Sequence, residues 1–482
     1  MKLKIAAVIL FFSLGFLLRL YRLNSPVADW HSFRQSDTAA VARIFVEEGY
    51  DLLYPRYFDI SNVQSGIDNP NGYRFVEFPI YNFLHSFFYK NIGVLSFTEW
   101  GRMLSIISSL VTAVIIYLLV KKYIDKKTGI AAAGVFLFLP FSIYYSRTIL
   151  PDTMMVTSIM LGIYFFDKWL ESIKYKVLSI KYLVPFFLAL FFTSLSLLLK
   201  PFALFFVFPF IYLAYDRFGF KMLFKWQLYF FAIAAVVPFT LWRNWISQFP
   251  EGIPASSWLF NGNGIRFRPS FFRWIFFERL TKLILGYSGI IFLSLGFFKT
   301  FKIKRASGLF LSFAASSLIY VSVIATGNVQ HDYYQILVIP TISIFTGIGI
   351  VELFKIVSSK INTASGFLVC SVIIMSSFYF SWYLVRDYFN INDRGMVMAG
   401  ERADMILPKD ALVIAPHDGS TTLLNITGRR GWPVFQNSIE ELIERGANYM
   451  VIANPTESDF NGFGKTYEVV DSSDKYLILK LR

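Results

Sequence analysis

Apolar runs about as long as a bilayer is thick constrain this chain more than any other feature. The first is Ile5–Leu20, and others centre on Gly101–Val120 and Thr153–Phe166. A helix needs roughly 20 mainly apolar residues to cross a ~30 Å hydrocarbon layer, and several runs approach that length. Of the 482 residues, 55% are hydrophobic and 19% aromatic, more than the interior of a soluble domain could hide. The pattern predicts a mainly α, polytopic transmembrane helix bundle. The first run follows Lys2 and Lys4 like a signal peptide, but no small-residue cleavage site follows it, so it reads as a retained anchor.

The net charge of +14 would suggest nucleic acid in a soluble protein; here most of it lies in short loops between apolar runs, so no nucleic-acid partner is expected. The positive-inside rule puts Lys2 and Lys4 in the cytoplasm. It puts Lys121, Lys122, Lys126 and Lys127 there too, then Lys168, Lys174, Lys176 and Lys181, then Arg217, Lys221 and Lys225. Lys299, Lys302, Lys304 and Arg305 form a further inner loop, and Lys355 with Lys360 the last. About eleven spans fit this alternation, which places the chain in the plasma (inner) membrane with an extracytoplasmic C-terminus. The single cysteine, Cys370, lies in an apolar run and permits no intrachain disulfide.

Three segments project outward: a first loop at 24–98, a second from Trp242 to Glu278, and the tail from Asp387. The expected division is a membrane domain at 1–386 and a C-terminal domain at 387–482. In the tail, "ALVIA", "YMVIA" and "KYLILKLR" read as strands and "SIEELIERG" as an amphipathic helix, predicting a small α/β domain.

The ionisable residues near helix ends fall mainly on the outer side. Asp29, His31, Arg34, Gln35, Asp37 and Glu77 belong to the first loop; Arg147 and Asp152 follow in "YYSRTILPD", and Lys200 in "LLLKPF". Arg243, Arg266 and Arg268 come next, then His331, Asp332 and Tyr333 in "GNVQHDYYQ". Charge at membrane depth is costly and faces a cavity or a partner, so a polar cavity is expected on that side. Each residue also has a plainer reading. Asp37, Ser36 and Asp152 could be helix N-caps. Arg147 and Arg243 could snorkel to the interface, and Lys200 before Pro201 could simply end a helix. Glu47, Glu48, Asp59 and Asp68 read as solvated loop, His85 as a packed histidine, and His417 as apart from the cluster.

Cations of this kind hold phosphate through charge-assisted hydrogen bonds. A carboxylate can take a proton from an acceptor hydroxyl, and carboxylates with a histidine can hold a divalent metal. No Walker loop, GxGxxG or HExxH is present. A transferase on the outer face therefore needs a donor already carried across on a lipid.

Four segments resemble the integral-membrane C-type glycosyltransferases that use polyprenyl-phosphate sugars, most of all the protein O-mannosyltransferase and lipid A aminoarabinose transferase branch. They are "DWHSFRQSDTAAVARIFVEEGYDLLYP", "VEFPIYNFL", "YYSRTILPDTMM" and "HDYYQILVIP", in the family's order over about residues 1 to 355. The resemblance implies that architecture, with juxtamembrane helices in the first loop, and transfer of a hexosyl or pentosyl group from a polyprenyl-phosphate donor to a hydroxyl of a lipid, glycan or protein. It implies Asp29 as the catalytic acid of the first loop and Asp152 as the second acidic site. Lys200, Arg243, Arg266 and Arg147 are placed as cations for the donor phosphate. Glu77 and His331 are placed as ligands of a divalent metal, with His31, Arg34, Asp332 and Tyr333 completing the pocket. Relatives carry an Asp-Glu pair directly before the loop helix. Here "RQSD" stands in that register, so Asp29 or Asp37 is the working acid, Asp29 fitting better because Asp37 has a ready capping role. The Lys-Pro-Pro form after the glutamate is replaced by "EFP", so donor specificity does not carry over.

The rival readings are a transporter or flippase of lipid-linked glycans, a ligase or polymerase with a diphosphate-linked donor, and a non-catalytic assembly or sensor protein. The topology is testable: reporter fusions after Lys127, Lys225 and Lys360 should report the cytoplasm, and fusions at Asp59 and Arg482 the opposite side. Any reversal within either set contradicts it.

Overall fold

The computed structural model describes residues 2–175, 180–303 and 307–482. The inner-loop residues Lys176, Lys304 and Arg305 lie outside the described residues, as do the side chains of Lys2, Lys4, Lys174 and Lys181. The chain begins with α1 (Lys2–Arg19). Two loop helices follow, α2 (Ser32–Glu47) and α3 (Ile80–Asn91). The bundle continues with α4 (Phe97–Tyr123), α5 (Lys126–Phe138), the short α6 (Pro140–Tyr145), α7 (Pro151–Tyr175), α8 (Ile180–Leu199), α9 (Val207–Phe218) and α10 (Trp226–Ile246).

Five segments are long and apolar enough to cross a membrane: Phe97–Tyr123, Pro201–Phe224, Trp226–Ile246, Asp332–Lys360 and Thr363–Ile406. Four shorter apolar helices stand beside them, Val8–Arg19, Leu183–Leu199, Ile290–Thr300 and Ser307–Val323. α5 and α7 pack inside the bundle against α4, α8 and Ile339–Lys360.

Local sequence sets the breaks. Ser96 and Glu99 form a capping box that starts α4. Pro140 ends α5 and opens α6, and Pro151 opens α7. Arg19, fully buried at the end of α1, donates to the Phe136 and Leu137 carbonyls at the α5 end and to Ser109 of α4. That converts a charge inside an apolar bundle into a three-helix tie.

The tail folds into a five-stranded sheet of order β2-β1-β3-β5-β4: β1 (Leu412–Ile414), β2 (Arg430–Trp432), β3 (Tyr449–Ala453), β4 (Glu468–Ser472) and β5 (Tyr476–Lys480). β1 pairs in parallel with β2 and β3, whereas β5 runs antiparallel to β3 and β4. The three segments read as strands are β1, β3 and β5, and Ile439–Glu444 is the expected helix. One apolar core joins this domain to the first loop, with Leu423 and Leu424 packed with Ala40, Val41, Ile44 and Phe45 of α2.

Helices Ile290–Thr300 and Ile339–Lys360 cross backbone to backbone. A Cβ on Gly296 would lie 1.8 Å from the Phe345 carbonyl, and one on Gly349 1.8 Å from that of Phe292. Such small-residue crossings drive helix association in lipid. Gly349→Val should destabilise the detergent-solubilised protein by about 1–3 kcal/mol or more, read as a lower thermal midpoint; an unchanged midpoint contradicts the crossing.

Candidate active site

The residues singled out from the sequence gather at the end of the bundle that carries the first loop, in three neighbouring networks. The first centres on Asp29, which is 1% exposed. Its Oδ2 faces Arg102 at 3.4 Å and Arg147 at 3.3 Å, and its Oδ1 accepts from Gln35 at 2.7 Å. Arg102 also donates to the carbonyls of Arg22, Leu23, Ser25 and Pro26, so it gathers the chain that leads into the loop. Gln35 accepts from the Ile149 amide. Arg147 is therefore a buried ion-pair partner rather than a snorkelling residue.

The second network centres on Asp332. It accepts from His31 at 2.7 Å, Trp30 at 3.2 Å, Tyr388 at 2.5 Å and Tyr145, with Arg279 at 3.7 Å. His31 is the N-cap residue of α2 and holds φ 55°, a left-handed conformation unusual for a side-chain-bearing residue. Its bond to Asp332 fixes the direction in which α2 starts.

The third network is as buried as the others but borders a small cleft. Arg34 holds both oxygens of Glu77 at 2.8 and 2.9 Å, and Arg74 meets Asp37 Oδ2 at 2.6 Å. Lys200 meets Asp152 at 2.7 and 2.9 Å, its ammonium 5.6 Å from the Tyr333 ring and 5.9 Å from Tyr334. Arg34, Asp37, Arg74 and Glu77 line a small, nearly closed cleft of about 10 Å³. Burial works against the Arg34 charge, but Glu77 and Asp37 more than offset it, with Tyr333 and Asp152 adding to the field, and its pKa rises above the arginine range. The Asp152–Lys200 pair thus lies near the two pairs that line the cleft, though neither of its residues lines it. Helix geometry puts them there: residues 34 and 37 are one turn apart on α2, Asp152 lies in the first turn of α7, and Lys200 directly follows α8.

An apolar groove of about 290 Å³ lies between α7, α8, α9 and α10; Leu197 and Ala203, which flank Lys200 in the sequence, line it, whereas Lys200 itself does not. Leu197, Ala203 and Leu204 line its near end; Phe210, Met222 and Leu228 line it further along.

Several expectations are corrected. Asp37 is no cap: α2 starts five residues earlier, at Ser32, and Asp37 sits buried in its second turn. Asp152 lies inside α7 after Pro151 rather than capping it, and Lys200, though it ends α8, is buried and paired. Arg243 is exposed on α10 and does not join these pairs. Arg266 instead donates to the carbonyls of Phe260 and Val323. Glu77 and His331 do not form a metal site: both Glu77 oxygens carry the Arg34 guanidinium, and His331 stacks on Tyr333, 5.4 Å from His31. Among the described residues no three His, Cys, Asp or Glu side chains converge on one point. Burial and the neighbouring His31 push the His331 imidazole down to about 4. His85 is packed as expected, stacked on Phe97 and bonded to its carbonyl at 2.6 Å.

The sequence reading missed Arg74, Arg102, Tyr145, Tyr388 and Thr421. An arginine one turn into the apolar α4 was a signal for Arg102; nothing local marks Thr421, whose hydroxyl donates to Asp37 Oδ1 at 2.6 Å. A last ionic group lies elsewhere. Lys122 meets Asp167 at 2.5 Å and Glu171 at 2.9 Å, with Arg217 3.4 Å from Glu171. It sits about 22 Å from Asp152 along α7 at 1.5 Å per residue, so buried charge is not confined to the loop end.

Asp59 is buried rather than solvated, and burial pushes its carboxyl up to about 6 despite hydrogen bonds from Ser61. The unfolded value is about 3.9. Folding therefore favours the protonated acid, and stability declines as pH rises from about 4 through 6. Asp59→Asn should melt above the parent at pH 7.5, by the equivalent of about 3 kcal/mol, and the gap should narrow at pH 5. Equal melting at both pH values contradicts this.

Comparison with known proteins follows the same lines. Residues 77–242 match the sequence profile of the family described as dolichyl-phosphate-mannose-protein mannosyltransferase. No curated protein matches the chain by sequence. Among solved structures it is similar to ArnT from Cupriavidus metallidurans bound to undecaprenyl phosphate, with a TM-score of 0.69, 10% identity, and 98% of each chain covered. It is also similar to the Archaeoglobus fulgidus oligosaccharyltransferase in complex with Zn and sulfate, with a TM-score of 0.59 and 12% identity over 95% of this chain and 69% of that one. AglB of the same organism, with an inhibitory peptide and a dolichol-phosphate, gives a TM-score of 0.57 and 10% identity over 94% and 69%. The chain thus shares the fold of the ArnT and oligosaccharyltransferase structures, and its stretch from Glu77 to Trp242 matches the mannosyltransferase family's sequence profile.

Proposed function

We propose that this protein is a glycosyltransferase that moves a sugar from a polyprenyl-phosphate donor to a hydroxyl acceptor at the extracytoplasmic face of the membrane. The observation that carries the reading is the buried Asp152–Lys200 pair, whose lysine lies three residues from both Leu197 and Ala203 of the apolar groove. The groove suits a polyprenyl tail, and Lys200 suits the phosphate. The ArnT structure of the same fold holds undecaprenyl phosphate, and the AglB structure holds a dolichol-phosphate.

Asp37, itself buried and held by Arg74 and Thr421, is our choice for the base that meets the acceptor, because it lines the small cleft, whereas Asp29 is held between two arginines. In the proposed step the acceptor O–H gives its proton to Asp37. The acceptor oxygen bonds to the anomeric carbon as the bond from that carbon to the phosphate oxygen breaks. The electron pair leaves on the phosphate, whose charge Lys200 balances. Asp152 holds the Lys200 ammonium in place, and the Arg34–Glu77 pair walls the cleft. Asp29 supports the site through α2. The carboxylate that would have to hold a metal is occupied by Arg34, so no step runs through one. A transporter would need buried charge along mid-helix paths; most of the described buried ionic pairs lie at the loop end of the bundle, with a smaller group around Asp167 toward the other end.

The test uses purified protein with synthetic undecaprenyl-phosphate mannose or a pentose counterpart, membrane extract as acceptor, and release of undecaprenyl phosphate as the readout. The parent should turn over, and Asp37→Asn should lose about 10²- to 10⁴-fold in rate while remaining monodisperse. Turnover of a nucleotide sugar in the absence of polyprenyl phosphate contradicts the proposal.

A further inference from the structure

Asp37 is held from two domains. Arg74 of the first loop donates to Oδ2 at 2.6 Å, and Thr421 of the C-terminal domain donates to Oδ1 at 2.6 Å across 384 positions of sequence. The two donors fix the plane of the carboxylate, which a side chain with a broad terminal torsion would otherwise leave variable. Arg74 supplies charge as well as direction. The Thr421 hydroxyl supplies direction alone, so it orients the group without adding a second cation to the cleft.

Thr421 is itself held firmly. The next residue, Thr422, donates to Ser32 Oγ at 3.2 Å, and Arg43 donates to the Asn425 carbonyl at 3.0 Å. Leu423 and Leu424 are fully buried in the core shared with α2. Farther out, the loop and the sheet exchange backbone bonds: Ile60 donates to Gly431 at 3.0 Å and Gly431 to Phe58 at 2.9 Å. Arg445 and Gln436 both reach Asp68, at 2.9 and 3.1 Å. Contact on this scale gives the domain a single seat on α2, and the seat presents one hydroxyl to one carboxylate.

We infer that the C-terminal domain completes the transferase site, with Thr421 as a positioning residue that aims the Asp37 carboxylate at the acceptor hydroxyl. This rests on the reading of Asp37 as the base. Thr421 touches neither donor nor acceptor, so its loss should slow the chemical step and leave donor binding alone.

The experiment uses the full chain, undecaprenyl-phosphate sugar and membrane extract as above. Thr421→Val should lower the maximal rate about 10- to 100-fold, the scale of a small misplacement at a reacting group. The KM for the donor should stay within about twofold, and Thr421→Ser should restore most of the rate. If the valine variant does not fold, Thr421→Ala replaces it, and loss with alanine but recovery with serine supports the assignment. Equal loss with serine and alanine marks a packing role and overturns it. A parental rate in Thr421→Val beside an inactive Asp37→Asn overturns the role of Thr421 and leaves Asp37 as the base. A parental rate in Asp37→Asn removes both.

Discussion

One carboxylate shared by two arginines, in a place water does not reach, underlies the rest of this structure. A buried ion costs several kcal/mol to desolvate and persists only when paired and hydrogen-bonded. Asp29 meets Arg102 from α4 and Arg147 from the turn before α7, while Arg102 also takes four carbonyls from the chain between α1 and α2. The first loop therefore leaves the bundle at one angle. Gln35 and the His31–Asp332 bond then set the direction of α2, which presents Arg34 and Asp37 to the cleft.

The network beside the cleft is built on the same rule and exploits it differently. Arg34 with Glu77, Arg74 with Asp37 and Lys200 with Asp152 each compensate locally, so the pairs can stay buried without a ligand. A phosphate arriving beside Lys200 would compete with Asp152 for the ammonium rather than meet a bare cation. The groove supplies the apolar surface that a long isoprenoid tail needs, and such burial stabilises by about 25 cal/mol per Å². In the proposed reading, polar recognition at Lys200 and apolar anchorage along Leu197 and Ala203 come together at the Pro201 break that ends α8.

The spans, the α/β tail and the side on which most charges lie were legible because each depends on local pattern: run length, period-two alternation and basic loops. Asp152 and Lys200 were legible as charges at helix ends, though not as partners, since 48 residues separate them. Asp37 shows the limit. Its neighbours along the chain fit a cap, and only folding reveals that α2 starts at Ser32 and turns this residue toward Arg74 and Thr421. Arg243 and Arg266 show the converse, since outer-loop arginines that look alike in sequence end at an exposed helix face and on carbonyls. Asp59 was misjudged because a loop residue was assumed to be wet, whereas the sheet edge at Gly431 covers it.

The most direct measurement is a structure of the full chain with undecaprenyl phosphate bound in a lipid nanodisc. Density for the phosphate within hydrogen-bonding reach of Lys200, with the tail running between α7 and α10 past Leu197 and Phe210, is the result this account predicts. Lipid phosphate seated elsewhere, with that groove filled by side chains or ordinary acyl chains, would contradict it.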